Sequence, residues 1–396
     1  MRCLAAIAAV FLSSMIVIFS PEVTGDSIHE FSEPDSRDWS LYVRANTGEV
    51  SSMNQTPVIE SDKIPYPRSP VIANLTWAPV STIVYKAKGK GKDGSDNWPL
   101  TWADDDNLYT TYGDGYGFDP RVPEKLGLGF ARITGGPEDF TGENIRSDGE
   151  NKGSGRSGKK GSGLLMVDGV LYVWLFHADE KGGQAQLAWS DDHEKTWTFC
   201  DWKFPEFGLC TFINYGRNYS GARDNYVYTV THDGPMADGP ADRMILMRVP
   251  KDKIEYREEY EFFRALDENS DPVWISDIKE RGAVFEYRDS CLRSGISYNA
   301  PLKRYLWWQH IPNEPGHKDR GDTRFSGGFG IYDAPEPWGP WTTVYFTQQW
   351  DVGPGERAEF PTKWMSDDGK TLYLAFSGED NFAVRKATLS LRASEK

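Results

Sequence analysis

Hydrophobic strands alternate with short polar turns along the chain from Leu75 onward. One such unit, a turn rich in Asp, Asn or Gly followed by an apolar strand with a tyrosine, returns five times. The copies are centred on Tyr109, Tyr172, Tyr228, Tyr305 and Tyr373, and successive tyrosines are 56 to 77 residues apart. A strand-rich unit of this length that recurs along a chain is typical of a β-propeller blade.

Each unit divides into about four strands. In the second unit, GLLMVDG, VLYVWLFHAD, QAQLAWSDD and TWTFCDWKF form successive candidates joined by tight turns. The last unit ends at Leu389 without an obvious fourth strand, which the isolated strand at 75–88 can supply, and this pairing would remove a free sheet edge. We therefore predict an all-β fold, a five-bladed β-propeller with an N-terminal strand closing the last blade.

Two features of this pattern leave alternatives open. Strands at this spacing also suit a β-sandwich or two smaller β domains, and the fivefold tyrosine register is what favours the propeller. Helical periodicity is rare, and the segment 252–266 has the apolar spacing of one short helix or of an insertion between strands.

The N-terminal region differs in composition from the repeats. Arg2, an apolar run over 4–19 and a small-residue ending at 23–25 predict a secretory signal peptide over 1–25. The alternative is a membrane anchor, for which the run is shorter than the ~20 residues of a span. Residues 26–74 are polar and predict a poorly ordered leader, with the propeller domain over 75–392. We expect a secreted or periplasmic protein without a membrane span after signal cleavage.

Charge and cysteine content narrow the partners. The formal net charge is −15, which argues against binding nucleic acid through a nonspecific phosphate field. The chain has 15 Trp, 19 Tyr and 20 Phe, most of which should fill the core, while a few exposed on a rim would suit sugar rings. Cys200 and Cys210 are close enough in sequence for a disulfide across a hairpin in an oxidising compartment, which leaves Cys291 unpaired.

The five tyrosines also indicate which side chains converge. Thirteen residues upstream of each should lie near the start of the innermost strand, and five residues downstream near the end of the second strand. Because these two strands are antiparallel, both positions should reach one face of the ring. The downstream positions and their neighbours include Asp114, His177, His232, Asp233 and His310, and the upstream positions, with a slip of one or two residues, include Asp96, Lys159, Arg217, Arg293 and Glu359.

Carboxylates that face each other across a polar pocket are what glycosidic cleavage requires, one as proton donor and the other as base or nucleophile. We predict Asp96, Asp114 and Glu359 as the catalytic groups, because the first and last blades of a closed ring are neighbours. The predicted substrate, a polysaccharide or oligosaccharide, would be bound by the following residues: Lys159, His177, Arg217, His232, Asp233, Arg293, His310 and Trp98.

Two other functions fit the same face. A non-catalytic carbohydrate-binding propeller would use the carboxylates as hydrogen-bond acceptors and aromatic side chains such as Trp98, Trp308 and Trp350 for affinity. A polysaccharide lyase would act on a uronic acid through a histidine, His177 or His310, with a tyrosine, Tyr112 or Tyr215. No cofactor is expected, although a ring of Asp and His side chains could instead hold calcium or zinc.

Two local motifs are given limited weight. The segment GSGRSGKK at 153–160 nearly matches a phosphate-binding loop, but Lys160 replaces the Ser or Thr and the segment precedes a strand. A flexible basic loop over the mouth of the channel is the favoured interpretation. The segment SDDHEKTW at 190–197 resembles the Asp-box hairpin of sialidase-like propellers, with Glu194 in place of the box glycine. Such boxes are structural turns, which support a fold and not an activity.

Several longer motifs resemble one bacterial family. They are SDNWPLTWADDDNLYTTYGDGYGF, SGRSGKKGSGLLMVDGVLY, NYSGARDNYVYTVTHDG, ADRMILMRVPKDKI, SGISYNAPLKRYLWWQ, APEPWGPWTTVYF and LAFSGEDNFAVRKATL. The chain from about 75 to 391 resembles secreted five-bladed propellers of the domain of unknown function 4185 type. Some relatives of that family are endo-D-arabinofuranan hydrolases. The resemblance implies paired carboxylates in the propeller mouth, carried here by Asp96 in SDNW and Asp114 in YGDG, but it does not identify the glycan.

Overall fold

Strands rich in β-branched and aromatic residues make up the described part of the chain. A computed structural model describes residues 64–87, 94–313, 327–353 and 355–393, which belong to one compact unit, Thr56–Lys396. The predicted signal peptide and residues 26–63 of the predicted leader lie outside this part. Within it there are 23 strands, seven short 3₁₀ turns and no α-helix, which confirms the predicted all-β class. No helix in these ranges has the length and apolarity needed to cross a bilayer.

The strands fall into five consecutive groups along the chain, preceded by two N-terminal strands. The N-terminal strands are β1 (Ile72–Trp77) and β2 (Val84–Lys86). The first group is β3 (Leu100–Trp102), β4 (Leu108–Tyr112), β5 (Gly129–Thr134) and β6 (Thr141–Ile145). The second is β7 (Lys160–Val167), β8 (Val170–Phe176), β9 (Gln186–Ser190) and β10 (Thr198–Phe199).

The third group is longer than the others. It contains β11 (Cys210–Asn214), β12 (Tyr226–His232), β13 (Ala241–Pro250), β14 (Glu261–Leu266), β15 (Pro272–Ile275) and β16 (Phe285–Cys291). The fourth is β17 (Ser294–Asn299), β18 (Arg304–Ile311), β19 (Gly328–Ala334) and β20 (Thr342–Thr347). The fifth is β21 (Ala358–Glu359), β22 (Thr371–Phe376) and β23 (Phe382–Leu391). The 3₁₀ turns are Val80–Thr82, Gly155–Ser157, Arg217–Tyr219, Arg257–Glu259, Ile278–Glu280, Thr362–Trp364 and Gly378–Asp380.

Within each group, neighbouring strands along the chain pair antiparallel, except that β16 pairs with β13 and not with β15. The five repeat tyrosines each occupy the second or third residue of the second strand of a group, in β4, β8, β12, β18 and β22. Strand β1 pairs antiparallel with β23, from Ile72 opposite Leu391 to Trp77 opposite Ala387, as expected for an N-terminal strand that completes the last group.

The first strands of the groups contact one another in cyclic order. Strand β3 contacts β7, β7 contacts β11, and β17 contacts β21. Strands β11 and β17 pair in parallel through Ile213 and Ile296, which joins the third and fourth groups into one sheet. The cycle closes where the backbone N–H of Leu100 in β3 donates to the carboxylate of Glu359 in β21.

Burial explains why these strands carry almost no polar–apolar alternation. All eight residues of β7 and β18 and all five of β4 and β11 are buried. Strands covered on both faces are selected for continuous apolar or small residues. Aromatic side chains fill the space around them: Trp174 packs on Phe204, Phe212 and Tyr260 at centroid distances of 5.8 to 6.1 Å.

Of the two alternatives for the segment 252–266, the structure has the insertion between strands and not the helix: the segment holds a 3₁₀ turn and strand β14, because Glu261–Leu266 pairs with both β13 and β15. Cys200 and Cys210 are both buried with free thiols, so the disulfide expected between them is absent from the structure. Cys200 follows the last strand of the second group, and Cys210 begins the first strand of the third group. Their short separation along the chain therefore does not bring the sulfur atoms together.

Candidate functional site

The candidate site lies where second strands end and first strands begin. Asp96 comes just before β3 and Asp114 just after β4, and a two-way backbone bridge joins Asp96 to Gly113, with N···O distances of 3.0 and 2.8 Å. A side chain at position 113 would not fit, because a Cβ there would lie 2.6 Å from Oδ1 of Asp96 and 3.3 Å from Cδ of Lys160. The glycine therefore allows both side chains to converge on this point.

The second strand group contributes two cationic or polar side chains. Lys160 is the first residue of β7 and His177 follows the last residue of β8, so both lie at the same end of the group. The ammonium of Lys160 lies 3.2 Å from Oδ1 of Asp114, and only 4% of the Lys160 side chain is exposed. A buried ammonium requires such a partner, and Lys160 holds Asp114 as its counter-ion.

Arg293 connects the other side of the site. Its guanidinium donates to Asn97 at 3.0 Å and to Asp238 at 2.9 Å, and it lies 2.7 Å from Glu356. Asp238, from the connection between β12 and β13, also lies 3.5 Å from Nε2 of His177. Arg293 thus joins residues of the first, third and fifth groups.

Four carboxylates, Asp96, Asp114, Glu356 and Asp380, form what we call the carboxylate cluster. Burial raises the pKa of Asp96 well above its usual range, and the negative charges of Glu356, Asp114 and Asp380 raise it further, while Lys160 acts in the opposite direction. The carboxyl of Asp96 also accepts from the amide of Asn97 at 2.6 Å. Burial and the neighbouring like charges therefore both favour the neutral form of the Asp96 carboxyl.

Asp238 shows the opposite behaviour. Burial by itself would raise its pKa, but the hydrogen bond with His177 and the charges of Arg293, His177 and Arg156 lower the pKa below its usual range. The neighbours of these two carboxyls therefore shift their pKa values in opposite directions, upward for Asp96 and downward for Asp238.

The backbone around the site is strained. Five residues that are not glycine have left-handed φ angles there: Asn97 at 52°, Asp114 at 44°, His177 at 55°, Glu379 at 54° and Asp380 at 56°. This conformation costs on the order of 1 kcal/mol or more for each L-residue and persists only where the surroundings impose it. Such a concentration of strain is typical of functional sites.

The structure brings together four of the residues chosen from the sequence: Asp96, Asp114, His177 and Arg293. Two predicted histidines lie beneath them. Both His232 and His310 are fully buried; Nε2 of His232 is 2.9 Å from the carbonyl of Met236, and burial lowers the pKa of His232. The backbone N–H of His310 donates to the carbonyl of Arg293 at 2.9 Å. These rings support the site from below and are not open to a ligand.

Lys159 and Arg217 are placed elsewhere. The ammonium of Lys159 donates to Gln186 at 3.2 Å and lies over the ring of Phe199, on the opposite side of the strand from Lys160. Successive residues of a strand face opposite sides, so a shift of one residue decides which lysine enters the site. Arg217 follows the far end of β11 and donates to the carbonyl of Asp104 at the other edge of the groups.

Two further predicted residues have structural partners. Glu359 is 1% exposed and pairs with Arg357 at 3.0 Å, as well as accepting from Leu100. Asp233 pairs with Arg243 at 2.6 Å and Arg281 at 2.7 Å.

The aromatic side chains proposed as sugar platforms are in the core. Trp98 is 2% exposed and packs against Tyr112, Phe118 and Phe382. Trp308 and Trp350 are buried as well, as are the two tyrosines considered for a lyase, Tyr112 and Tyr215. None of these rings offers a face to a ligand.

Sequence reasoning missed Lys160, Glu356, Asp238 and Asp380. Lys160 was adjacent to the residue chosen. Glu356 lies 17 residues before Tyr373, outside the interval applied to the other groups. Asp238 and Asp380 lie in connections whose course no spacing rule predicts. A search for every acidic residue within a few positions of a first or second strand end would have included Glu356.

Two other features lie at the opposite edge of the strand groups. A cavity of about 510 Å³ is lined by residues that follow the far ends of β7 and β11, among them Asp168, Arg217 and Asn218. Next to it, within the described ranges, Asp104, Asp105 and His193 form the one group of three potential metal ligands with ligand atoms within 4.8 Å of one another. This group is remote from the ring of Asp and His side chains considered for calcium or zinc.

No family model matches this chain, and no match was found among curated proteins. Among solved structures, the chain is similar to a β-xylosidase, with 13% identity over 79% of this chain and 98% of that one and a TM-score of 0.45. It is also similar to an α-L-arabinofuranosidase from Podospora anserina in complex with cellotriose, with 10% identity over 82% and 99% and a TM-score of 0.46. A GH43_1 enzyme from Xanthomonas citri matches with 13% identity over 80% and 92% and a TM-score of 0.44. These values are too low to assign a fold or a function to this chain.

Proposed function

We propose that the five strand groups are the blades of one propeller. Two observations support this count. The first strands contact one another in a cycle that runs β3, β7, β11, β17, β21 and back to β3, and β1 completes the last group by pairing with β23. In such an arrangement the starts of all first strands and the ends of all second strands face a common mouth, where the carboxylate cluster lies.

We propose that this mouth cleaves a glycan by acid–base hydrolysis. The observation that carries the proposal is the burial of Asp96 beside Asp114, Glu356 and Asp380, which raises the pKa of its carboxyl. Asp96 donates its proton to the glycosidic oxygen, as a carboxyl with a raised pKa can do near neutral pH. The second carboxylate activates water or attacks the anomeric carbon.

Glu356 is the second carboxylate in this proposal. Among the neighbouring charges, that of Glu356 raises the pKa of Asp96 most, and the guanidinium of Arg293 lies 2.7 Å from the Glu356 carboxylate and orients it. Asp114 carries charge too, but Lys160 and a backbone N–H already engage it, which suits a residue that binds substrate. Glu359, the third catalytic residue expected from sequence, is paired with Arg357 in the interior and has a structural role in this proposal.

The test is a screen of plant and bacterial polysaccharides, including an arabinofuranan, with product analysis by mass spectrometry. Asp96→Asn and Glu356→Gln should each lower kcat on the cleaved polymer by about 100-fold or more. The matched controls are Asp119→Asn and Glu143→Gln, whose side chains are 77% and 64% exposed. If either site variant cleaves as fast as its control, the assignment of that residue is wrong.

A second function, glycan binding without cleavage, is favoured by one observation. Asp96 is only 6% exposed, so in the described conformation a substrate does not reach it. A glycan array that gives binding, together with no product from the bound glycan after long incubation, would establish this function in place of hydrolysis.

We infer from the sequence that the chain is exported, to the periplasm or the medium, after removal of residues 1–25. The support is the basic start and apolar run of the N-terminus. N-terminal sequencing of the protein recovered from its native compartment tests both the export and the cleavage site. An intact N-terminus in a cytoplasmic fraction would contradict it.

A further inference from the structure

A glycine-rich loop covers the site. Residues 153–158, GSGRSG, connect the first strand group to β7, and three of their contacts are made by the backbone N–H and carbonyl of one residue, Gly155. Its N–H donates to Oδ2 of Asp114 at 3.0 Å. Its carbonyl accepts from the ammonium of Lys160 at 2.6 Å and from Nδ1 of His177 at 3.0 Å. Because a carbonyl can only accept, Nδ1 of His177 carries the proton in this contact.

Two neighbouring hydroxyls of a sugar offer the same hydrogen bonds as this backbone, because one can donate to a carboxylate while the other accepts from two donors. We propose that Asp114, Lys160 and His177 form a subsite for a pair of neighbouring sugar hydroxyls, and that loop 153–158 is a lid whose Gly155 backbone fills this subsite when no glycan is bound. The inference rests on the proposed function, in that it names how the same mouth recognises its substrate. It does not depend on whether the bound glycan is cleaved.

Asp96 lies close to the side chains that the loop contacts. A Cβ on Gly113 would be 2.6 Å from Oδ1 of Asp96 and 3.3 Å from Cδ of Lys160, so the proposed proton donor lies near the stem of the lysine whose ammonium donates to Gly155. In this proposal, withdrawal of the loop uncovers Asp114 and Lys160 and opens a path toward Asp96. Exchange of the Gly155 N–H and carbonyl for two neighbouring sugar hydroxyls preserves the hydrogen bonds of all three side chains, so opening leaves no buried polar group without a partner.

The loop is suited to open. Its residues Ser154 to Ser157 are exposed, so its withdrawal uncovers little apolar surface. Beyond Gly155, it is held to the site by two contacts: the ammonium of Lys160 donates to the carbonyl of Gly158 at 3.4 Å, and Nε of Arg156 lies 3.4 Å from Oδ2 of Asp238. Gly155 has a φ of 54°, and no atom lies within 4 Å of where a Cβ would be. A side chain at this position is therefore disfavoured by the backbone conformation and not by a lack of space.

The same contacts exclude a phosphate site. A phosphate-binding loop presents free N–H groups to an anion. Here the N–H of Gly155 already donates to a carboxylate, and an anion in its place would face the negative charge of Asp114.

Carboxyl footprinting tests the lid without a known substrate. A water-soluble carbodiimide with glycine ethyl ester labels accessible carboxyls, which are then located by mass spectrometry. Gly155→Pro removes the N–H given to Asp114 and cannot adopt a φ of 54°. Labelling of Asp114 should rise at least about fivefold, the population change expected from losing one hydrogen bond. Gly155→Ala keeps the N–H but strains the backbone, and should give a smaller rise in the same direction.

Asp119 serves as the internal reference, and Lys152→Ala, whose ammonium pairs with Glu124 away from the site, serves as the control variant. Unchanged labelling of Asp114 in both glycine variants would overturn the lid. Neutral mono- and oligosaccharides of xylose, arabinose and galactose should protect Asp114 from labelling in Gly155→Pro. Failure of all of them to protect it would overturn the hydroxyl subsite. Protection without cleavage would retain the subsite and refute hydrolysis, so the two proposals fail separately.

Discussion

Removing the guanidinium of Arg293 tests how the site is held together. Arg293→Met keeps most of the volume of the side chain and deletes its hydrogen bonds to Asn97 and Asp238 and its ion pair with Glu356. Only 7% of the Arg293 side chain is exposed, whereas Asp238 and Glu356 are 23% and 11% exposed. The substitution therefore leaves two largely buried carboxylates without their main cation.

Breaking a buried ion pair from one side costs about 3 to 5 kcal/mol of unfolding free energy. Partial exposure of Asp238 allows water to compensate in part, so we expect a loss of about 3 kcal/mol at neutral pH. The loss should depend on pH. The lowered pKa of Asp238 contributes stability that is present above its unfolded pKa of about 3.9 and is lost as the pH falls through the folded pKa. The substitution raises that pKa, so the two proteins should differ less below about pH 4.

The assay is urea unfolding at pH 7 and at a pH of about 3, followed by tryptophan fluorescence, with the slopes compared to check that both proteins unfold alike. Arg132→Met is the matched control, because Arg132 pairs with Glu143 at 2.7 Å with side chains 40% and 64% exposed, and such pairs contribute about 0 to 1 kcal/mol. A loss at pH 7 no larger than that of the control would refute the reasoning. So would an equal loss at both pH values.

Three further predictions concern buried charges. Burial raises the pKa of Glu194 well above its usual range, so wild-type stability should fall as the pH rises above the unfolded pKa of about 4.3. Thermal melts between pH 4 and 8 should show the melting temperature of Glu194→Gln rising relative to that of the wild type as the pH rises. Parallel curves would contradict this. Arg357→Met should cost about 3 to 5 kcal/mol because it leaves Glu359 buried and unpaired, whereas the double variant with Glu359→Leu should recover most of the loss; a double-mutant cycle in urea measures the coupling, and additive losses would argue against it. Lys160→Met should destabilise the protein by about 2 kcal/mol and Lys159→Met by less than about 1 kcal/mol; equal shifts in melting temperature would mean that both lysines are solvated.

The tyrosine spacing predicts the second strands well because each tyrosine is itself a residue of the strand. All five lie at the second or third residue of that strand, so the downstream positions reached the correct ends, including Asp114 and His177. The same rule places first strands only where the connection to the second strand is short. It succeeds for Asp96 and Arg293, which precede β3 and β17.

Two long connections defeat the rule. Between β11 and β12 the chain passes through a 3₁₀ turn over 217–219, and between β21 and β22 through another over 362–364. Because of these extra residues, a fixed count back from the tyrosine stops after the start of the first strand instead of reaching it. For this reason Arg217 lies at the far edge and Glu359 in the interior. Neither turn has a periodic signature that would reveal its length in advance.

The other limit of the sequence-based prediction is the face of a strand on which each side chain lies. Lys159 and Lys160 are equivalent by composition, and only the strand register, fixed by the pairing of Lys160 with Phe176, decides which enters the site. For Trp98, the sequence shows an aromatic residue beside the site. Whether that ring meets ligand or core depends on Phe118 and Phe382, which come from distant parts of the chain.

The pairing of β1 with β23 sets the order in which the molecule can be completed. Leu75 and Leu389 are opposite each other, so one edge of the fold is formed by residues from the two ends of the described chain. Bringing together segments roughly 300 residues apart has an entropic cost of about 5 kcal/mol by loop-closure scaling. During synthesis β1 must wait, unpaired, until β23 is available at the end of the chain. A truncated product therefore exposes strand edges at both places, which makes it a target for proteolysis or aggregation before it can display any activity.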